Sequence, residues 1–365
     1  MRIAFVAFSG IPSNSAQSIN VMRGCSAMAE LGHEVVLLVP KSHPERIEAP
    51  DVFAFYDVPQ NFRIQYLSSP PFRGGRTLFS WLVVWFARKH RIELIFTRYL
   101  RSAMLCARLG YDVIYDMHSP VKSKGANLSA LARTGRLRLM VTNTELMRQN
   151  IIGHKLPGLD PDIVFPVPTG RNGLRSAPSP RHLAKHTQGL NIGFVGKLQV
   201  QKGMALVAEL ANRMPNHDFH ILGGDPKQIA EWKAKMPGAH VHFHGYVPQS
   251  DVGRYLAAID VCLLPNTPHH ENPDGVLYSS PMKALDYMAH GKAILASDMI
   301  EIREIVGNGA AAMLLPHDDP AAWVAAIESL TAEKIDHLGK AAAAHLEAEH
   351  TMRARYAKIL AKAGF

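Results

Sequence analysis

Short apolar segments alternate along the chain with longer amphipathic ones. In the first half, the apolar segments have the length of strands, as in 3–8 and 34–40. Between them, apolar residues recur with helical spacing, as in 17–31 and 76–90, and Gly32 follows the first of these helices where a C-terminal glycine is expected. Strands that alternate with helices form parallel sheets. The other strands predicted in this half are 62–68, 94–99, 113–118 and 137–143.

The pattern breaks near Ser176 and then begins again. Segment 176–189 has two prolines and no apolar period, which is typical of a linker. Behind it, strands alternate with helices at 190–196, 218–224, 240–246, 261–266, 293–297 and 311–317, and the chain ends in an Ala-rich helical region. We therefore predict an α/β protein with two doubly wound, Rossmann-like domains. Their predicted limits are 1–175, a linker 176–189, 190–345, and a terminal helix 346–365 that could return to the first domain.

The composition of the 365 residues agrees with two folded domains. Apolar residues make up 47% and charged residues 19%, which excludes general disorder. The net charge of +9 suits an anionic partner, such as phosphates, a membrane surface or nucleic acid. Alternatively, the charge belongs only to a soluble basic surface. Because the basic residues are scattered and no nucleic-acid-binding module is recognisable, we expect no nucleic acid partner. Three cysteines lie far apart and no apolar run approaches the length of a membrane span, so we expect a cytoplasmic protein.

Two loops have the residues of an anion site. In segment 9–21, small residues including Ser15 and Ala16 would let a ligand approach the start of a helix, although the segment is not a dinucleotide fingerprint. In segment 193–203, Gly196 and Lys197 end a strand and Lys202 precedes a helix, so the two ammonium groups could clamp a diphosphate. The alternative for the first segment is an ordinary βα loop, and the alternative for the second is a pair of solvated lysines.

A third anion site is predicted at a helix start in segment 278–298. Ser280 is a good N-cap, and Pro281 suits the first helical position. The N–H groups of the next residues would face an anion, and Asp286, one turn on, could accept a hydrogen bond from a ribose hydroxyl. The alternative is a capping device alone. The three N–H groups belong to Met282, Lys283 and Ala284.

Two residues at strand ends could contact a sugar. His118 and Arg98 each lie at the end of a predicted strand, where a ligand between two domains would lie. A structural role is the alternative for both. We expect structural roles for His220, His242 and His244, and we predict no metal site, although Asp160–Asp162 and His269–Glu271 contain residue types that bind metals.

Several motifs in order resemble family 4 of the retaining glycosyltransferases, which has the two-domain GT-B fold. The resemblance covers nearly the whole chain. It rests on SNSAQSINV (13–21), AMAELGHEVVLLVP (27–40), FVGKLQVQKG (194–203), HGYVPQSDVGRYLAAIDVCLLP (244–265) and SSPMKALDYMAHGKAILASD (279–298). The resemblance implies two domains that face each other across a cleft.

The resemblance also implies roles for single residues. Lys197 and Lys202 would neutralise the nucleotide diphosphate, which the backbone at Ser15 and Ala16 would also approach. His118 would lie beside the donor sugar. Tyr246 and Val247 would hold the nucleobase, and Asp286 would hold the ribose. The motifs and the resemblance together add these further residues to the donor-binding set: Arg98, Gly196, Tyr246, Val247, Ser279, Ser280, Met282, Lys283, Ala284 and Asp286.

Three positions depart from the family pattern. Asp286 stands for a glutamate and is one methylene shorter, and Tyr278 replaces the other glutamate of the family. Glu271 or Asp274 could supply the missing carboxylate from the same loop. Ala16 replaces the usual glycine and narrows the approach to the phosphates.

The resulting prediction is a retaining, metal-independent glycosyltransferase without a cofactor, whose catalytic residues are His118, Lys197 and Lys202. It would move a hexose-type sugar from a UDP- or GDP-sugar to a glycan or lipid-linked acceptor in cell-surface polysaccharide biosynthesis. The alternatives are a non-catalytic GT-B scaffold subunit and a nucleotide-sugar epimerase. Basic and aromatic residues in 76–90 suggest peripheral contact with the cytoplasmic face of a membrane, whereas apolar residues nearly all round this helix predict a buried helix.

Overall fold

Two parallel β-sheets organise the chain, and each sheet lies in its own compact unit. The first unit comprises Met1–Pro168 and Met352–Phe365, and the second comprises Thr169–Thr351. The chain thus passes between units after residues 168 and 351, whereas the sequence pattern placed the limits at 175 and 345. This computed structural model describes residues 1–121, 125–173, 178–268 and 281–365, with the backbone alone at 249 and 250.

The sheet of the first unit explains why its strands read as continuous apolar segments. Helices cover both faces of a parallel sheet, so central strands have no face toward water. Its described strands run in the order β3-β2-β1-β4-β5-β6-β7, and all pairs are parallel. They are β1 (Arg2–Val6), β2 (Glu34–Pro40), β3 (Arg63–Leu67), β4 (Leu94–Thr97), β5 (Asp112–Met117), β6 (Leu137–Thr142) and β7 (Val164–Pro166).

β7 is the shortest described strand of this sheet. It has three residues and directly follows a 3₁₀ turn at Pro161–Ile163. The helices that connect the strands of this unit are α1 (Ala16–Glu30), α2 (Val52–Phe55), α3 (Gly75–Lys89), α4 (Leu100–Arg108), α5 (Gly125–Ala132) and α6 (Glu145–Gly153).

The second unit repeats the architecture, and all its described strands were predicted. Their order is β10-β9-β8-β11-β12-β13, again with parallel pairing throughout. The strands are β8 (Asn191–Val195), β9 (Asp218–Leu222), β10 (Val241–Gly245), β11 (Val261–Leu264), β12 (Ala293–Ser297) and β13 (Met313–Leu315). The described helices are α7 (Met204–Arg213), α8 (Pro226–Lys235), α9 (Gln249–Ala257), α10 (Met282–Ala289), α11 (Ile300–Val306), α12 (Pro320–Glu328) and α13 (Ala332–His345). The predicted fold class, two doubly wound α/β domains, is confirmed.

The last helix, α14 (Met352–Lys362), packs in the first unit against α1. A glycine makes this contact close, because a Cβ on Gly24 of α1 would overlap with the hydroxyl of Tyr356. Tyr356 and Ile359 are buried with the core residues of α1 and β1. The end of the chain therefore completes the core of the first unit.

Helix α3 differs from the buried helix that its apolar residues predicted. Phe79, Val83 and Phe86 are buried, but Trp81 and Trp85 are 53% and 56% exposed. The prediction failed because the helix packs along one face only and leaves apolar residues on its outer face. Among the described residues, no helix combines the length and the apolar character that a membrane span requires.

The strand orders locate the two places where ligands are expected. The connections run in opposite directions from β1 and from β8, so the strand order reverses between β1 and β4 and between β8 and β11. In open α/β sheets, ligands bind outside the carboxyl ends of the strands at such a point. The candidate residues are therefore expected at the carboxyl edge of each sheet.

Candidate functional site

At the carboxyl edge of the second sheet, glycines let three backbone segments lie very close together. Gly196 follows β8, and a Cβ on Gly223 would overlap with its carbonyl oxygen. A Cβ on Gly203 would likewise overlap with the carbonyl oxygen of Pro265. The φ angles of Gly196, Gly223 and Gly203 are positive, at 144°, 122° and 82°, and residues that carry a side chain rarely adopt such angles. The sequence here specifies a loop cluster that only glycine can form.

Lysine ammonium groups gather at this glycine cluster. Lys283 Nζ lies 3.2 Å from the place that a Cβ on Gly196 would take, and it lies 4.1 Å from the centroid of the Phe194 ring. This ammonium group is buried and has no hydrogen-bond partner among the described residues. Burial and the charge of Lys202 both lower the pKa of Lys283 well below its usual value. A buried, unpaired cation is costly unless an anion joins it.

Lys202 ends a 3₁₀ turn at Val200–Lys202 and is half-buried. Burial lowers the pKa of Lys202, the carboxylate of Glu301 opposes this effect, and Lys197 adds to it. Lys197 itself is exposed. The predicted pair of lysines is thus a set of three with Lys283, all of which can act electrostatically on one anion.

Glu301 was not found by sequence reasoning. It lies in the first turn of α11 and is 1% exposed, and its Oε1 has no hydrogen-bond partner among the described residues. Burial raises the pKa of this carboxyl group, and Lys202 partly offsets the effect. The position gave no signal because Glu301 stands between apolar residues of a short helix, where it reads as an ordinary polar residue.

The helix start at α10 differs in detail from the prediction. Pro281 occupies the N-cap rather than the first helical position, and Met282 begins the helix. The Ala284 N–H donates to the Pro281 carbonyl oxygen at 2.9 Å, so it is not available to an anion as predicted. Ser279 and Ser280 lie outside the described residues, as do Tyr278 and its proposed substitutes Glu271 and Asp274.

Asp286, the predicted ribose ligand, forms an ion pair with Arg171. Both side chains are largely buried, with 21% and 12% exposed. Burial lowers the pKa of the neighbouring His290 to about 4, and Arg171 and Lys292 contribute to this shift. Arg171 was missed because the segment after β7 has no regular pattern. The arginine holds one carboxylate oxygen of Asp286 in place and leaves the other for a hydroxyl group.

The predicted nucleobase residues follow β10 at the same edge. Tyr246 is 74% exposed, and Val247 is half-buried and packs against the hydrophobic core of the second unit. The Gly223 N–H donates to the Gly245 carbonyl oxygen at 2.7 Å, which fixes the backbone just before them. Tyr246 therefore offers an open aromatic face next to the glycine cluster.

In the first unit, a network of serines holds the loop between β1 and α1. Ser15 is the N-cap of α1, and its Oγ accepts from the Ser18 N–H at 3.2 Å. Ser18 Oγ donates to the Gly10 carbonyl oxygen at 2.8 Å, and Ser13 Oγ donates to Ser18 Oγ at 2.8 Å. Ala16 is the first helical residue and is exposed. The predicted approach to the helix start through Ser15 and Ala16 is open to solvent.

A buried carboxylate at the end of β5 organises the other predicted residues of this unit. Asp116 Oδ2 lies 2.8 Å from His118 Nε2 and 3.6 Å from Arg98 Nε, and Oδ1 lies 3.3 Å from Arg355 Nη2. Burial alone would raise the pKa of Asp116, but His118, Arg355 and Arg98 outweigh it and hold the pKa below its usual range. Asp116 and Arg355 were missed, since Asp116 reads as part of a strand and Arg355 comes from α14.

Both ring nitrogens of His118 are engaged. Nε2 donates to Asp116, and the side-chain amide of Asn143 donates to Nδ1. Burial lowers the pKa of His118, Asp116 opposes this shift, and Arg98 adds to it. The ring is therefore held neutral and in one orientation at the carboxyl edge of the first sheet.

A cavity of about 900 Å³ opens beyond the carboxyl ends of β2 and β3. Its lining includes the basic residues Lys41, His43 and Arg46 and the hydroxyl groups of Ser68 and Ser69. Hydroxyl and cationic groups are suited to a polar or anionic ligand. The sequence gave no signal for this cavity, because its lining comes from three separate segments, at residues 12, 41–52 and 68–70.

Of the two metal-binding alternatives in the sequence, one has another role. Asp160 Oδ1 accepts from the Asp162 N–H at 2.9 Å and caps the turn at Pro161–Ile163, so this pair is a capping device. His269, His270 and Glu271 lie outside the described residues.

Two family models match the chain in succession. The model described as Glycosyltransferase Family 4 matches residues 20–186, and the model described as Glycosyl transferases group 1 matches residues 189–333. A D-inositol 3-phosphate glycosyltransferase of Nocardia farcinica is 26% identical over 285 residues, which are 72% of this chain and 59% of that protein. A phosphatidyl-myo-inositol mannosyltransferase of Mycobacterium tuberculosis is 28% identical over 146 residues, 38% of this chain and 36% of that protein. The matches span less than two thirds of the length of these relatives.

Solved structures share the fold at low sequence identity. The Anabaena protein HepE in complex with UDP aligns with a TM-score of 0.68 and 14% identity, over 99% of this chain and 100% of that chain. At this identity the likeness establishes the fold of the chain alone.

Proposed function

We propose a function from the premise that this chain belongs to the family 4 glycosyltransferases of the GT-B fold. The chain transfers a hexose-type sugar from a nucleoside-diphosphate sugar to a glycan or lipid-linked acceptor, with retention of configuration and without a metal ion. The observation that carries the proposal is the buried ammonium group of Lys283, which has no hydrogen-bond partner in the described part of the chain and lies beside Lys202 and the glycine cluster.

The second unit binds the diphosphate. Lys202 and Lys283 repel each other in the absence of a ligand, and a diphosphate removes this repulsion and pairs both charges. The glycines let phosphate oxygens approach the backbone at Gly196, where a side chain would block them. Arg171 presents the Asp286 carboxylate to a ribose hydroxyl. Tyr246 stacks on the nucleobase, and such stacking does not by itself select between UDP and GDP.

The lysines also promote the reaction. As the bond between the anomeric carbon and the diphosphate oxygen breaks, negative charge grows on the diphosphate, and fixed ammonium groups stabilise it more than they stabilise the intact donor. The acceptor hydroxyl attacks from the face that the diphosphate leaves, and its proton passes to a diphosphate oxygen. No protein nucleophile is then needed, and configuration is retained.

In the first unit, His118 orients the sugar. The ring is neutral and is held by Asp116, so its Nδ1 can accept a hydrogen bond from a sugar hydroxyl once Asn143 gives way. Arg98 and Arg355 keep Asp116 ionised, which fixes the proton of the ring on Nε2. His118 contacts the sugar, while Asp116 is a positioning residue.

The acceptor binds to the first unit, in the cavity beyond β2 and β3. Lys41 and Arg46 suit an acceptor that carries a phosphate group. The outer face of α3 carries Trp81 and Trp85, with Lys89 Nζ 4.9 Å from the centroid of the Trp85 ring. Exposed tryptophans beside basic residues are typical of helices that lie on a membrane surface. The lipid of a lipid-linked acceptor would then stay in the membrane while its head group enters the cavity.

The test is the reaction itself. The full chain is incubated with UDP- and GDP-hexoses and a membrane extract as the source of acceptors, in EDTA, and the anomeric configuration of the product is read by NMR. The proposal expects transfer with retention. Inversion or a requirement for metal would overturn the mechanism. An altered free donor without acceptor would indicate an epimerase, and binding without any conversion would indicate a scaffold subunit.

A further inference from the structure

A group of side chains at the amino edge of the second sheet has no part in the proposed reaction. Asp218 is the first residue of β9 and is fully buried. His242, near the start of β10, places Nε2 2.9 Å from Asp218 Oδ1. His186, in the segment before β8, places Nδ1 4.0 Å from the same oxygen. These three donor atoms all lie within 4.8 Å of one another.

The fold holds the three residues together firmly. The His186 N–H donates to Asp218 Oδ1 at 2.9 Å, and the Thr187 N–H and Oγ1 donate to Oδ2 at 2.9 Å and 2.6 Å. The ring of His242 stacks between those of His186 and His220, with centroids 5.0 Å and 4.7 Å apart. Backbone and ring contacts thus fix both imidazoles beside one carboxylate.

We propose that His186 Nδ1, His242 Nε2 and Asp218 Oδ1 bind one divalent transition ion with the chemistry of Zn²⁺. Two imidazoles and a carboxylate are a ligand set that Zn²⁺ prefers, and three protein ligands leave a position for water. The His186 side chain is 51% exposed, so the ion can enter from solvent. His242 moves its proton to Nδ1 when Nε2 becomes a ligand, so the ring stays neutral.

The ion would have a structural role. It would join the segment before β8 to the amino ends of β9 and β10, whereas the lysines proposed to bind the diphosphate follow the carboxyl end of β8 or begin α10. The site therefore does not contact the diphosphate, and its existence is independent of the proposed glycosyl transfer.

The experiment uses the full chain without a histidine tag, freed of metal by dialysis against EDTA and then against buffer. Zn²⁺ is titrated in competition with a chromophoric chelator, and the thermal unfolding midpoint is measured with and without Zn²⁺. His186→Ala and His242→Ala are compared with His182→Ala, an exposed histidine of the same segment that does not belong to the group. Circular dichroism without metal verifies that each variant is folded.

We expect one Zn²⁺ per chain, a raised unfolding midpoint, at least tenfold weaker binding in both cluster variants, and unchanged binding in His182→Ala. His186 is half-exposed, so His186→Ala gives a reading even where His242→Ala does not fold. Absence of saturable Zn²⁺ binding would mean that His186, Asp218 and His242 form only a hydrogen-bonded cluster. Binding of equal affinity in wild type and His186→Ala would place the ion elsewhere. Either result overturns the proposal.

Discussion

At the scale of single residues, the structure adds partners to the residues that the motifs singled out. Lys197, Lys202 and Lys283 were predicted from separate motifs, and the structure shows that Lys202 acts on the pKa of Lys283 and adds the buried Glu301. His118 was predicted alone, and the structure adds Asp116 and Asn143. The motifs identify residues by their spacing along the chain. Partners from distant segments, such as Arg171 and Arg355, have no such spacing.

Replacement of Lys202 tests the diphosphate site most directly among single residues. We expect Lys202→Met to lower kcat/KM at least 100-fold, which corresponds to about 2.7 kcal/mol of lost transition-state stabilisation. The chain should remain folded, because burial already disfavours the charge of this lysine. Steady-state kinetics and circular dichroism verify both statements. Lys227→Met, at an exposed position of α8, is the matched control, and equal activity of the two variants would exclude the assignment.

At the scale of elements, the sequence predicts strands better than it predicts exposure. Twelve of the described strands follow from apolar segments of strand length, because strands of a covered parallel sheet have no polar face. The exposure of α3 could not be predicted, since its apolar residues surround the helix and only tertiary packing decides which of them are covered.

The contact between α1 and α14 gives a prediction on stability. Gly24→Ala places a methyl group on the hydroxyl of Tyr356, so we expect the free energy of unfolding to fall by about 1–3 kcal/mol. Urea denaturation measures the change. Gly153→Ala, at the end of α6, meets no neighbouring atom within 4 Å and should leave stability within about 0.5 kcal/mol of wild type. Similar values for the two variants would contradict the packing described here.

The outer face of α3 gives a prediction on membrane binding. The double variant Trp81→Ser, Trp85→Ser should bind vesicles containing anionic phospholipid at least tenfold more weakly than wild type, since it loses the two exposed indoles. Co-sedimentation with the vesicles measures binding. Leu109→Ser removes an apolar side chain of similar exposure, 48%, elsewhere in the first unit and should bind like wild type. Wild type that remains in the supernatant would refute membrane contact.

At the scale of the whole molecule, the chain should lose stability on mild acidification. The pKa of His290 is about 4 in the folded chain, chiefly through burial, against 6.5 for an exposed histidine. The unfolded chain therefore binds a proton first, and stability falls as pH falls from about 6.5 to about 4. Urea denaturation at pH 7.5 and pH 5 measures the loss, which should be smaller in His290→Gln and unchanged in His182→Gln. An equal loss in His290→Gln would show that other groups cause it.

The central claim is that the second unit binds a nucleoside diphosphate through lysines and without a metal ion. Calorimetric titration of the full chain with UDP, GDP, ADP and CDP, without added metal and again with EDTA in the buffer, tests it most directly. The account predicts that one of the four binds selectively with unchanged affinity in EDTA, and that Lys202→Met loses most of this affinity while Lys227→Met retains it. Binding of none of the four would contradict the claim.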